Sequence, residues 1–143
     1  MGTSRNVTVA NGERGGTSGT SLQMTLRAES DSVGEARRAV SGFAGEHGAD
    51  ADDVALAVSE GVSNAVIHAF RDREPGRIDV RALVDGDRVV VSIADDGVGV
   101  SPNPQSPGLG LGLALIGSLS EGVELRRTPG HGTTLVMRFP RET

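Results

Sequence analysis

Between Ile78 and Ile93 the chain alternates. Ile78, Val80, Ala82 and Val84 occupy every second position, Asp85-Gly86 interrupts them, and Val89, Val91 and Ile93 resume the pattern. A period of two places these side chains on one face of a pleated strand, and an Asp-Gly break between two such runs predicts a hairpin. Leu22-Gln23-Met24-Thr25-Leu26-Arg27 alternates in the same way, and Val123 to Arg127 and Thr133 to Phe139 are two further strands joined by Thr128-Pro129-Gly130-His131-Gly132. Helical spacing fills the intervals. Ser32-Val33-Gly34-Glu35 has the spacing of a capping box, and Val33, Ala36, Val40, Phe43 and Ala44 recur at helical intervals up to Gly48, a predicted stop. Asp50 and Asp52 are candidate caps for a second helix to about Phe70, with Val54, Ala55, Val58, Val62, Ala65, Val66 and Ala69 on one arc. A loop with three prolines, Ser101 to Pro107, precedes a glycine-rich apolar helix from Leu109 to Leu119. Strands in hairpins with helices between them predict the α/β class as an α+β two-layer sandwich. Its mixed, mostly antiparallel sheet would be covered on one face by helices.

Residues 1–20 are rich in Gly, Thr, Ser and Asn, bury little, and read as a flexible N-terminal tail ahead of one domain spanning 21–143. Composition then narrows the chemistry. All 14 basic residues are Arg, which excludes Walker-type phosphate loops and Schiff-base catalysis, and the absence of Cys excludes thiolate sites. Aromatic residues make up 2% and the net charge is -5, which argues against a nucleic-acid partner. No apolar run reaches the roughly 18 residues of a membrane span, and Met1 to Asn6 carries no signal-peptide core, so a soluble cytoplasmic protein is expected. His47, His68 and His131 are scattered, a poor pattern for zinc.

Four segments carry candidate chemistry. Glu60 and Asn64, one turn apart in the second helix, offer a carboxylate and an amide oxygen on one side, suited to a hard cation or to activating a nucleophile beside a phosphate. Taken alone, the pair also fits a solvated helix face. Asp95 closes a strand and is followed by Asp96-Gly97-Val98-Gly99, where glycines permit a sharp turn and close backbone approach to a ligand. The same residues also suit an ordinary strand-ending turn. Gly108-Leu109-Gly110-Leu111-Gly112-Leu113 opens a helix, whose free N–H groups form an anion site, although glycines for tight helix packing would read the same way. Gly130-His131-Gly132-Thr133-Thr134 is the fourth.

In this order, and with the run Ser59-Glu60-Gly61-Val62-Ser63-Asn64-Ala65-Val66-Ile67-His68, the sequence resembles the nucleotide-binding boxes of the GHKL (Bergerat-fold) ATPases. Within that superfamily it is similar to the small anti-sigma-factor serine-protein kinases, over residues 21–140. The resemblance implies the Bergerat ATP-binding fold, with ATP and Mg²⁺ as cofactors. Asp95 would bond the adenine amino group with Thr133 supporting that end, and Asn64 would ligate Mg²⁺. Glu60 would be the general base on a serine of an anti-anti-sigma partner. Gly97, Gly99 and the helix-opening backbone of Gly108, Leu109, Gly110, Leu111 and Gly112 would approach the phosphates. It also implies sequestration of an RNA polymerase sigma factor and a homodimer. The stretch from Glu29 to Glu60, with eight acidic residues against two Arg, could face a basic partner or could simply be a solvated pair of helices. The segment between Gly99 and Gly108 is short and contains no Arg, where relatives commonly have a longer lid with a basic residue. Phosphoryl transfer uses such charge, which an Arg from elsewhere in the chain, such as Arg71 or Arg73, would have to supply. Two other readings therefore stand beside the kinase: a nucleotide-binding regulatory module that transfers nothing, and a histidine-kinase-like domain acting in trans.

Overall fold

A computed structural model describes residues 6–11, 20–69, 76–95, 109–128 and 132–142. The strands are β1 (Asn6–Asn11), β2 (Thr20–Arg27), β3 (Arg77–Asp85), β4 (Arg88–Asp95), β5 (Gly122–Thr128) and β6 (Gly132–Pro140). The helices are α1 (Asp31–Glu46), α2 (Ala51–Asn64) and α3 (Leu109–Leu119), and α2 runs on into a π-helical turn at Ala65–Ala69. One six-stranded sheet has the order β1-β2-β3-β4-β6-β5. Every pairing is antiparallel, so the mixed sheet expected from sequence is antiparallel throughout the described residues.

The alternation sets the layers. Leu22, Met24 and Leu26 of β2, Ile78, Val80 and Ala82 of β3, Val89, Val91 and Ile93 of β4, and Leu135, Met137 and Phe139 of β6 are buried. They form one cluster with Ala36, Val40 and Phe43 of α1, Val54, Val58 and Val62 of α2, and Ile116 of α3. The three helices therefore share one face of the sheet, a two-layer α+β sandwich. Each fully buried Val, Ile or Leu contributes roughly 1.5–3 kcal/mol, so this interlayer core carries the fold.

Two local expectations are corrected. Within the stretch 1–20 read as a tail, Asn6–Asn11 is a strand, paired with β2 from Asn6 opposite Thr25 to Asn11 opposite Thr20. An edge strand is held by its backbone ladder and needs no apolar stripe. The capping box does not form either. α1 begins at Asp31 after Ser30, which makes no side-chain cap, and Ser32 is buried with its hydroxyl donating to the Arg27 carbonyl at 2.6 Å. For α2 the expected cap is present, since the Asp50 carboxylate accepts from the amides of Asp52 and Asp53, both at 3.0 Å.

The C-terminal segment closes the end of the molecule opposite Asp95. The Arg141 guanidinium donates to the carbonyls of His47 at 2.7 Å and Gly86 at 2.8 Å. The Glu142 amide donates to the Gly48 carbonyl at 2.9 Å. Gly48 has φ 93, and a Cβ there would collide with the backbone carbonyl of Glu142. Left-handed backbone costs a non-glycine residue roughly 1–2 kcal/mol, and the collision adds to it. Gly48→Ala is therefore expected to lose at least about 2 kcal/mol in urea denaturation. A loss below about 0.5 kcal/mol, the usual range of a neutral surface change, would show that Glu142 does not pack there.

Candidate functional site

The site is built where β4 ends. On β4 the odd-numbered side chains Val89, Val91 and Ile93 face the helices, so Asp95, the last residue of the strand, continues that row. Its neighbour across the β4–β6 ladder is Thr133, and across the β3–β4 ladder Ile78. Leu135, Met137 and Phe139 give β6 the same parity, so Thr133 stands on the helix-facing side as well. A carboxylate and a hydroxyl-bearing residue thus sit side by side, both half-buried, at the open end of the apolar row. Gly132, the first residue of β6, is buried with φ 101, a backbone conformation that favours glycine.

Helix α2 passes over this end of the sheet. Gly61 lies against Ile93 and Leu135, themselves a facing pair of the β4–β6 ladder and, on the helix-facing side, the next pair inward from Asp95 and Thr133. Glu60 precedes Gly61, and Asn64 is one turn further along; both are half-buried. The Ser59 hydroxyl is used within the helix, donating to the Ala55 carbonyl at 2.8 Å. Immediately after Asn64 the helix widens into the π turn, a local distortion that recurs at functional sites. The structure thus brings Glu60 and Asn64 on the helix to the end of the sheet that holds Asp95 and Thr133. Leu109, Gly110, Leu111 and Gly112 form the opening of α3, whose first amides have no partner within the helix, and α3 packs beside α2. Gly97, Gly99 and Gly108 lie outside the described residues, as do the proline-rich segment, Arg71, Arg73 and His131.

Two features of the site were not anticipated from sequence. One is the π turn, where continuous α-helix is expected to Phe70. The other is Gly61, whose signal is present: glycine in a helix interior costs about 1 kcal/mol relative to alanine, so its position asks for a packing reason.

The sequence comparisons give the family. Residues 26–139 match the Histidine kinase-like ATPase domain family. The chain belongs to that family. Among individual relatives, the "Serine-protein kinase RsbW" of Bacillus velezensis is 33% identical over 147 residues, covering 80% of this chain and 92% of the relative. The RsbW of Bacillus pumilus is 30% identical, covering 85% and 87%. The "Anti-sigma F factor" of Clostridium beijerinckii is 27% identical over 132 residues, covering 82% and 91%. The matched region begins inside β2, so β1 and most of β2 lie outside it.

The described residues hold no helix long and apolar enough to cross a membrane. Two exposed ion-pair groups lie on the outer strand β5 and at the start of β4. There, hydrogen bonds from Arg126 and Arg138 hold the Glu124 carboxyl below its ordinary range, and Glu121 at 2.8 Å raises Arg88. Exposed pairs of this kind add little to stability.

Proposed function

We propose that the protein is an ATP-binding anti-sigma factor and a serine-protein kinase acting on an anti-anti-sigma factor. What supports this is the close packing of Gly61, between Glu60 and Asn64 on α2, against Ile93 and Leu135, next on that face to the Asp95–Thr133 pair, in a chain of the histidine kinase-like ATPase family whose relatives bear the names anti-sigma F factor and serine-protein kinase. In this reading the Asp95 carboxylate accepts a hydrogen bond from the adenine amine, with Thr133 beside it. Asn64 offers its amide oxygen to Mg²⁺, a hard cation that takes oxygen ligands. Bound Mg²⁺ would supply charge neutralisation for the phosphates. The Glu60 carboxylate takes the proton of the attacking serine hydroxyl. Backbone amides at the opening of α3, from Leu109 to Gly112, and the glycines Gly97, Gly99 and Gly108 suit phosphate oxygens.

The sigma factor is the sequestered partner. The exposed acidic residues Asp31, Glu46, Asp50 and Asp52 on and between α1 and α2 favour a basic surface. The reading also includes a cytoplasmic homodimer, for which sedimentation equilibrium is the test. Incubation with labelled ATP, Mg²⁺ and the cognate anti-anti-sigma protein should yield acid-stable phosphoserine on that partner. Acid-labile label would instead identify a histidine-directed enzyme. A second reading, a nucleotide-binding regulatory module without transfer, is favoured by the absence of Arg between Gly99 and Gly108, and nucleotide binding without any label would establish it.

The Mg²⁺ role has its own test. Asn64→Ala should weaken Mg²⁺-ATP at least about tenfold, a loss of 1.4 kcal/mol, while leaving Mg²⁺-free ATP nearly unaffected in calorimetry with and without chelator. Equal weakening of both would make Asn64 a polar contact to the nucleotide instead of a metal ligand.

A further inference from the structure

Gly61 occupies a helix interior where propensity alone favours alanine. A Cβ built on it would lie 2.7 Å from Ile93 Cδ1 and 3.1 Å from Leu135 Cδ2. The first is closer than Cβ contacts come in folded proteins, so Ile93 or the helix must shift, and the second is tighter than most; both neighbours are buried in the core, Ile93 3% exposed and Leu135 7%. On either side along the helix, Val58 and Val62 are fully buried and anchor α2 to the same core. The backbone of α2 is therefore pressed on the sheet at this point, directly over the last apolar pair of the β4–β6 ladder. The next pair on the same face of that ladder is Asp95 and Thr133, two residues or about 7 Å further along. Glu60 and Asn64 lie one residue before and three residues after Gly61 on the helix.

The geometry points to Gly61 as a positioning residue that sets the height of α2 over the sheet, and with it the separation between the Glu60/Asn64 pair and the Asp95/Thr133 pair. This rests on the nucleotide-binding reading and extends it: the missing side chain fixes the width of the nucleotide slot. One ligand must reach polar groups on both layers. A Cβ at position 61 lifts α2 or drives Ile93 and Leu135 toward Asp95 and Thr133, and either movement spoils that spacing. Val58 and Val62 hold the rest of the helix, so the displacement falls on the slot more than on the fold.

The test measures binding of a fluorescent ATP analogue to the full chain as wild type, Gly61→Ala, Ile93→Val and the double variant, with a thermal melt of each without nucleotide. Gly61→Ala is expected to weaken binding about tenfold, below the 10²-fold that a 1 Å misplacement can cost, while its melting midpoint changes little. Ile93→Val removes the Cδ1 that the new methyl meets. It should leave affinity near wild type alone and restore the double variant to within about threefold. Gly61→Ala binding within about twofold of wild type overturns the proposal, as does a folded double variant no tighter than Gly61→Ala. If Gly61→Ala does not fold, the double variant decides in the same terms, and its own failure to fold assigns Gly61 to stability and overturns the slot role. A wild-type chain that binds no nucleotide overturns the ATP reading itself, a result distinct from wild type and Gly61→Ala binding equally.

Discussion

Asp95→Ala is expected to lower ATP affinity by about 10- to 10²-fold, from the roughly 1.5–3 kcal/mol of a hydrogen bond to a charged group. The carboxylate is placed for this by parity. It extends the buried row Val89, Val91, Ile93 to the strand end, where Ile78 and Thr133 flank it across two ladders. An acceptor there suits the exocyclic amine of adenine and opposes the carbonyl that guanine presents at the same edge. Wild type should therefore prefer ATP to GTP. Asp95→Asn, whose amide can donate as well as accept, should narrow that preference even as ATP affinity falls. Calorimetry with both nucleotides, beside circular dichroism to verify the fold, measures both effects. Unchanged ATP affinity in Asp95→Ala would remove Asp95 from the site.

The register that joins Asp95 to Thr133 is the part of the site that one sequence cannot supply. The strand patterns at Leu22 to Arg27, Ile78 to Ile93 and Thr133 to Phe139 are legible because a single buried face imposes a period of two. Which strands become neighbours is a separate matter. β4 pairs with β6 across α3 and β5, a non-local contact that no local periodicity encodes. Only the family resemblance associates Asp95 with Thr133 beforehand, and the ladder then places them opposite each other. Helix positions follow the same division. The Asp50 cap is local chemistry and is readable, whereas the burial of Ala57 and Gly61 beside Val58 depends on how closely α2 meets Ile93 and Leu135. The π turn after Asn64 escapes for the same reason, since its residues Ala65 to Ala69 keep an ordinary helical pattern. β1 is not legible because two valines among polar residues are a weak strand signal, while its pairing rests on backbone groups offered by β2.

Glu60→Gln separates the kinase from the binding module. The substitution keeps the side chain's size and removes its charge and basicity, at a half-buried position one turn before Asn64. If the carboxylate takes the serine proton, phosphoserine formation on the anti-anti-sigma partner should fall by about 10²–10⁴-fold, the usual contribution of a general base. ATP affinity should stay near wild type, because an interaction made with the attacking hydroxyl is expressed in the rate and not in nucleotide binding. Sigma-factor binding should also survive, since the acidic residues proposed for it, Asp31, Glu46, Asp50 and Asp52, belong to α1, the α1–α2 connection and the opposite end of α2. Single-turnover transfer from labelled ATP, read beside calorimetry for nucleotide and a pull-down for sigma factor, tests the three quantities together. Transfer that proceeds at wild-type rate in Glu60→Gln would leave the kinase standing and give the proton to another group. No phosphoserine from the wild-type chain with its cognate partner would overturn the kinase, and the lid segment without Arg between Gly99 and Gly108 supplies the physical reason, since no cation there would meet the charge that develops on the transferred phosphoryl group.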